Sequence, residues 1–142
     1  MSHEKILRMV AVAELMVQRN PPRYLNATRV LANLLEEIGP RGTPASWGDV
    51  TYEPVHDESG AYHSAWAPIV DGQRGQHVDS TTLAMHVVAR CAVASQTPAA
   101  VEAAVMAEIG RTREANRLAL RKEAVSFFAV VRSEWRRNNG PF

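Results

Sequence analysis

The sequence predicts a mainly α fold: a helical bundle of about four helices, with a long C-terminal helix and a small β-hairpin insert at about residues 47–70. Two observations predict it. Apolar residues recur at the helical period of 3.6 before residue 39 and after residue 79. Residues 39–79 differ, since they hold six of the eight glycines and four of the eight prolines. At 142 residues, the chain is expected to form a single domain, 1–142.

Residues 1–38 are predicted to form an N-terminal helical hairpin. Apolar side chains at alternating spacings of four and three predict a first helix over residues 2–19. A second helix is expected to begin at Asn26 or Thr28, because either side chain can accept a hydrogen bond from a first-turn amide as the N-cap. Gly39, which a proline follows, predicts the end of this helix.

The segment 39–79 is predicted to contain a β-hairpin. Polar and apolar residues alternate over residues 50–53 and again over 62–66, as they do in half-buried strands. Between them, the sequence His-Asp-Glu-Ser-Gly at 56–60 is typical of a hairpin turn of four or five residues. The glycines at both ends of Gly-Gln-Arg-Gly, at 72–75, indicate a second turn.

Two central helices are predicted over residues 80–110. The first, over 80–94, is apolar on nearly every side, which is typical of a buried helix. His86 and Arg90 are polar exceptions, and they share one face of the helix because they lie four residues apart. The second helix is expected to begin at Thr97, an N-cap followed by proline at the first helical position.

Residues 111–138 are predicted to form a basic C-terminal helix. Residues 1–110 hold 12 acidic and 8 basic side chains, whereas residues 111–142 hold 3 acidic and 8 basic ones. A helix running unbroken from the preceding segment would be about 60 Å long, which exceeds the body of a domain of this size. Either the helix bends at Gly110 and folds back, or part of it projects and packs against another chain.

The C-terminal helix also carries the predicted contact surface. Its arginines recur at a spacing of four, at which like charges repel unless acidic groups face them. Those groups are expected to be acidic residues of the insert, an acidic surface of another protein or subunit, or phosphate. Aromatic residues among arginines are typical of interface hot spots. The predicted partner-binding residues are Arg113, Arg117, Arg121, Phe127, Phe128, Val131, Arg132, Trp135 and Arg136.

The pair of His86 and Arg90 has two interpretations. A buried guanidinium requires a compensating charge, so the first interpretation is a structural ion pair with a carboxylate such as Asp79 or Glu14. The second is a ligand pocket at the hairpin insert, in which Arg90 holds an anionic ligand and His86 acts as acid or base. The residues of this predicted pocket are His86, Arg90, Trp66 and Tyr62.

No catalytic residue, cofactor or metal site is predicted. The sequence contains neither a G-x-S-x-G nucleophile motif nor a glycine-rich nucleotide-binding motif. Cys91 lies in mid-helix among apolar neighbours, which makes a thiol unreactive. Four histidines crowd into 31 residues, but their spacing matches no metal-binding signature, so the sequence leaves open whether they bind a metal. These histidines are His56, His63, His77 and His86.

These features together predict a non-enzymatic interaction or assembly protein: an adaptor, inhibitor or structural subunit, of a kind that phages or mobile elements encode. Its partner is expected to be a second copy of the chain or an acidic surface of another protein. One alternative is a nucleic-acid-associated regulator that binds phosphate through the basic helix. Another is a small enzyme or ligand-binding protein that uses the histidine–arginine pocket.

The composition bears on membranes and on the cellular compartment. The longest stretches without a charged residue, 59–70 and 91–101, are far shorter than the roughly 20 apolar residues of a membrane-spanning helix. We therefore expect no membrane partner. A single cysteine cannot form an internal disulfide, which favours a cytoplasmic location.

Overall fold

The computed structural model describes residues 24–47 and 50–139, which form four α-helices and a five-stranded antiparallel sheet. Helix α1 is Tyr24–Ile38, and a short 3-10 helix, Gly39–Arg41, follows it. The strands are β1 Ala45–Trp47, β2 Val50–His56, β3 Tyr62–Val70, β4 Gln73–Arg74 and β5 Val78–Asp79. The remaining helices are α2 Ser80–Val93, α3 Pro98–Gly110 and α4 Glu114–Asn139.

The prediction of a mainly α bundle with a small hairpin insert is wrong, because the fold is mixed α and β. The predicted hairpin is present as β2 and β3, but β1, β4 and β5 extend it into a sheet of order β1-β2-β3-β4, with β5 also paired to β3. The three added strands are only two or three residues long. Strands this short carry no alternation of their own, and they become strands by pairing with a longer neighbour.

The long strand β3 organises the sheet. Its register with β2 runs from Thr51 opposite Ile69 to Pro54 opposite Trp66, and then shifts. Ser64 lies within the shifted stretch at a positive φ of 53°, the mark of a bulge that bends the strand. At the other end of β3, Asp71 and Gly72 have φ of 51° and 77°. Two consecutive positive φ values match the two-residue hairpin turn that suits the twist of paired strands.

Helix α1 ends where the sequence predicts, but the predicted N-cap is wrong. Asn26 and Thr28 both lie within the helix, where Thr28 Oγ1 donates a hydrogen bond to the Tyr24 carbonyl at 3.0 Å. Gly39 follows the last residue of α1, and a Cβ at Gly39 would overlap the Tyr62 ring. Glycine is therefore required at this helix end for close approach. The predicted first helix, over residues 2–19, lies outside the described residues.

The two helices at the C-terminal end are separate and contact each other. Thr97 is the N-cap of α3, as predicted, and its hydroxyl accepts a hydrogen bond from the Ala100 amide at 3.3 Å. Helix α3 ends at Gly110, and Arg117 of α4 donates hydrogen bonds to the Gly110 and Thr112 carbonyls at 3.1 and 2.9 Å. The chain thus folds back after Gly110, which is the first of the two predicted alternatives.

The described residues fall into two compact units. One unit is Arg29–Ala84, which contains the sheet, and its larger buried side chains are Leu31, Leu35, Ile38, Trp66 and Leu83. The other consists of residues 24–28 and 85–139, and its larger buried side chains are Tyr24, Val88, Val101, Val105, Ile109, Phe127 and Val131. The single domain over 1–142 stays a prediction. Among the described residues, no helix combines the length and apolar character needed to cross a bilayer.

Candidate functional site

A buried carboxylate on α4 is surrounded by one histidine and two arginine side chains within the second unit. Glu134 is only 2% exposed. Its Oε1 lies 2.9 Å from His86 Nδ1 and 3.6 Å from Arg137 Nη1. Its Oε2 lies 3.3 Å from Arg90 Nε. These four residues, hereafter the Glu134 cluster, join the single polar face of α2 to the last turns of α4.

The cationic groups keep Glu134 ionised despite its burial. Burial raises the pKa of Glu134, but the hydrogen bond from His86 and the charges of Arg137 and Arg90 outweigh this effect. The pKa of Glu134 therefore lies below its ordinary value. An ionised carboxylate in the interior is stable only when it is paired in this way.

The Glu134 cluster corresponds to the first interpretation of His86 and Arg90, with Glu134 as an acidic partner that the sequence analysis did not name. Glu14, one of the two expected partners, lies outside the described residues. Asp79, the other expected partner, accepts a hydrogen bond from the Thr82 amide at 2.6 Å. The Oε2 of Glu134 accepts no hydrogen bond from any described residue, since Arg90 Nε approaches it at ion-pair distance but outside hydrogen-bonding geometry.

The other two residues of the predicted pocket, Tyr62 and Trp66, lie in the sheet unit. Trp66 is fully buried, and its Nε1 donates a hydrogen bond to Ser80 Oγ at 2.8 Å. The Tyr62 hydroxyl lies 3.2 Å from the same Ser80 oxygen. Trp66 thus packs and anchors the start of α2, and it has no exposed surface for a ligand. The pocket that joins these residues to His86 and Arg90 stays a prediction.

The apolar residues of the predicted contact surface are mostly directed inward. Phe127 and Val131 are buried, and the Phe127 ring stacks on Tyr24 with the centroids 5.9 Å apart. Buried side chains have no surface to offer a partner, so the assignment of Phe127 and Val131 to a contact surface is corrected to the core. Phe128 and Trp135 are half-buried.

The arginines of the predicted surface have different environments. Arg117 is half-buried and bonded to the end of α3, so it holds the turn between the helices. Arg132 is exposed and lies 3.5 Å from Glu102 of α3, measured from its Nη2 to Oε2. The remaining arginines of the prediction are exposed; they are Arg113, Arg121 and Arg136.

The sequence reasoning missed several residues that the structure brings forward. Leu118 and Val125 of α4 are 66% and 69% exposed, the largest exposures among the described large hydrophobic side chains. Glu134 lies seven residues after Phe127 and three after Val131, so helical spacing places it on the same face as these apolar residues. From this spacing, the sequence could have predicted that Glu134 is buried and requires a positively charged partner.

The histidines of the insert do not converge on a metal site. His63 Nε2 lies 3.4 Å from Asp57 Oδ2, and His56 packs against Tyr62 with ring centroids 5.8 Å apart. A hydrogen bond from the Ser59 hydroxyl is the largest of the effects that lower the pKa of Asp57. The described residues contain no group of three or more metal-ligating side chains placed to hold an ion.

An open groove of about 430 Å³ lies at the turn between β3 and β4. It is lined by Pro68, Val70, Asp71, Gln73, Arg74 and Gly75. None of the residues that the sequence predicts as a site lines this groove. Comparison of the chain with protein-family models, with curated proteins and with solved structures found no match.

Proposed function

We propose that this chain is a non-enzymatic interaction protein, an adaptor, inhibitor or structural subunit, that binds a partner protein through the solvent-exposed side of α4. The observation that carries the proposal is the exposure of Leu118 and Val125, which lie one heptad apart on a helix otherwise rich in charge. Exposed apolar side chains surrounded by cationic ones are typical of a docking surface.

The proposed contact surface is called the outer face of α4. Its members recur at spacings of three and four and are all exposed. Such spacing gives the seam along which two helices pack. The outer face consists of Leu118, Lys122, Val125, Ala129, Arg132 and Arg136, with Arg121 at its flank.

The charge of the outer face favours an acidic partner over a second copy of the chain. In an antiparallel pairing of two α4 helices that places Leu118 opposite Val125, Arg121 faces Lys122 of the other copy. In a symmetric parallel pairing, each of these residues faces itself. Both arrangements bring like charges together, which is destabilising. An acidic surface with apolar residues at its centre complements the outer face instead.

Binding of nucleic acid is less well supported by the same residues. Arg117 uses its guanidinium to hold the turn after α3, and Arg132 has a carboxylate neighbour in Glu102. Leu118 and Val125 at the centre of the face also offer nothing to a phosphate backbone.

The proposal is tested by photo-crosslinking in the native host. A crosslinking amino acid is placed at Leu118 or Val125, and at the exposed Ala99 of α3 as a control. We expect one partner protein to be captured from both outer-face positions and not from Ala99. Capture of the chain itself would instead indicate a homo-oligomer, and equal capture from all three positions would contradict the proposal.

The captured partner is then purified for a binding measurement with matched variants. Leu118→Ser combined with Val125→Ser should weaken the affinity about 10-fold to 100-fold, because buried apolar area is lost at the interface. Met106→Ser, which removes an exposed apolar side chain on α3, should leave the affinity unchanged. Affinity should also fall with added salt, as expected for a charged interface.

The proposed location is the cytoplasm, supported by the single, half-buried thiol of Cys91. Fractionation of the native host, followed by immunodetection of the chain, tests this location. We expect the chain in the cytoplasmic fraction, and recovery from an extracytoplasmic or secreted fraction would contradict the proposal.

A further inference from the structure

The exposed cationic side chains of α4 differ in whether a carboxylate of the chain neutralises them. Over residues 115–137, every exposed charged residue is an arginine or a lysine. Arg132 Nη2 and Arg137 Nη1 lie 3.5 and 3.6 Å from carboxylate oxygens of the chain. In the described part of the chain, no carboxylate forms an ion pair with Arg121 or Lys122. These two residues therefore carry positive charge that the described chain does not neutralise.

Arg121 and Lys122 lie between the two most exposed large hydrophobic side chains of α4, Leu118 and Val125. The four residues follow one another at i, i+3, i+4 and i+7, and all are exposed. Four residues at this spacing form the hole that receives one side chain of a neighbouring helix. Leu118 and Val125 stand at the two ends of the hole, about 10 Å apart along the axis, and Arg121 and Lys122 form its two sides. These four residues are hereafter the α4 hole.

The composition of the α4 hole defines the side chains that fit it. Its ends are apolar, and the methylene stems of an arginine and a lysine line its sides, so one large apolar side chain complements it. The guanidinium and ammonium groups at the ends of those stems lie at the rim of the hole. Carboxylates on either side of the inserted apolar side chain pair with both groups.

The surroundings of the α4 hole favour a helix as the partner. Four small exposed residues adjoin the hole; they are Ala115, Ala119, Ser126 and Ala129. Small side chains allow a second helix to pack closely alongside α4. On such a helix, the residues three positions before and three positions after an inserted side chain lie on opposite sides of it. One helix can therefore supply the apolar side chain and both carboxylates.

We propose that the partner of the outer face of α4 is an acidic amphipathic helix. It inserts one large apolar side chain into the α4 hole, and it places one carboxylate against Arg121 and another against Lys122. This inference rests on the partner-binding function proposed above, and it assigns the chemistry and the secondary structure of the partner segment. Arg132 and Arg137 contribute less, because each already has a carboxylate neighbour in the chain. A nucleic acid or an anionic membrane would instead attract all the exposed cations of α4 alike.

The test uses the whole chain and two synthetic peptides of equal composition and charge. The first peptide repeats Leu-Ala-Ala-Glu-Glu-Gln-Gln three times, so that glutamates flank its leucines on both sides. In the second peptide the glutamates and glutamines exchange places, which moves the carboxylates to the opposite side of the helix. Fluorescence anisotropy measures the binding of each peptide, and circular dichroism of the free peptides checks that their helical contents match.

We expect the first peptide to bind at least about tenfold more tightly than the second, because only the first places its carboxylates beside Arg121 and Lys122. Equal affinities of the two peptides would overturn the inference. Failure of the first peptide to bind would overturn it as well.

Variants of the chain test the assigned residues. Arg121→Gln and Lys122→Gln should each weaken binding of the first peptide several-fold. The matched control is Arg132→Gln, which removes an exposed cation with a carboxylate neighbour and should change the affinity less than about twofold. Melting curves check that the three variants stay folded. If Arg132→Gln weakened binding as much as Arg121→Gln, general attraction of anions to α4 would explain the binding, and the inference would be overturned.

The two proposals about the outer face fail in different ways. Capture of a partner by photo-crosslinking at Leu118 and Val125, without binding of the first peptide, would refute the acidic helix and leave the partner-binding function standing. Binding of the first peptide without capture of any protein would support recognition of an acidic helix and contradict the function in the host. Self-association of the chain that Arg121→Gln strengthens would show that a second copy covers the face, and would refute the acidic helix.

Discussion

Replacement of Glu134 by glutamine removes a buried negative charge and keeps the shape of the side chain. The glutamine oxygen can still accept the hydrogen bond of His86, but Arg90 and Arg137 lose their counter-charge. A hydrogen bond to a charged group contributes about 1.5–3 kcal/mol, and breaking a buried ion pair costs about 3–5 kcal/mol. Because the cationic partners are partly exposed and screened by water, we expect E134Q to lower the free energy of unfolding by about 2 kcal/mol.

The pH dependence of this effect has a definite sign. The pKa of Glu134 is lower in the folded chain than its ordinary value, so folding favours the ionised form. The resulting stability is present above the unfolded pKa of about 4.3 and is lost as the pH falls through the lower folded value. The difference in unfolding free energy between the unmodified chain and E134Q should therefore shrink as the pH is lowered below about 4.3.

Urea denaturation followed by circular dichroism, at neutral pH and at steps below pH 5, measures both quantities. The matched control is E102Q, because Glu102 makes an ion pair with Arg132 in which both side chains are exposed. Exposed pairs of this kind contribute about 0–1 kcal/mol. If E134Q were no less stable than E102Q at neutral pH, or if its difference from the unmodified chain did not depend on pH, the account of the Glu134 cluster would be refuted.

Two further predictions test the packing. Gly39→Ala should lower the free energy of unfolding by about 1–3 kcal/mol, because the added methyl group would overlap the Tyr62 ring. In Gly110→Ala the added methyl group has no neighbour within 4 Å, so this variant should be as stable as the unmodified chain or more stable by up to about 1 kcal/mol. Phe127→Ala should cost about 3–5 kcal/mol, and Val125→Ala about 0.5 kcal/mol or less. Melting curves of the four variants measure these differences. Similar losses of stability in Phe127→Ala and Val125→Ala would show that the buried and exposed faces of α4 are assigned incorrectly.

Several local features could be predicted from the sequence because their cause lies within a few residues. Thr97, followed by proline, predicts the start of α3 through its side-chain cap, and the helix begins there. Gly39 marks the end of α1 as predicted, but the chain continues into the 3-10 helix, and the left-handed residue that caps it is Gly42. The alternation over residues 62–66 lies in β3.

Predictions from short stretches of sequence were wrong where a residue type suits two different structural roles. Thr28 is a good N-cap, but its hydroxyl can equally bond to the carbonyl four residues back in mid-helix, and it does so here. The aromatic residues of α4 fit an interface or a core equally well by type. Only the orientation of α4 within its unit decides that Phe127 is buried and Val125 exposed.

The sequence by itself determined the helical segments, the hairpin, the basic C-terminal part and the need of Arg90 for a counter-charge, since each follows from composition or short-range spacing. Tertiary structure alone decided that β1, β4 and β5 complete a sheet and that Glu134 supplies the counter-charge from 44 residues along the chain. The physical reason is that strand pairing and ion pairing depend on which distant segments meet. A local pattern shows that a group requires a partner, and the folded chain decides which partner it has.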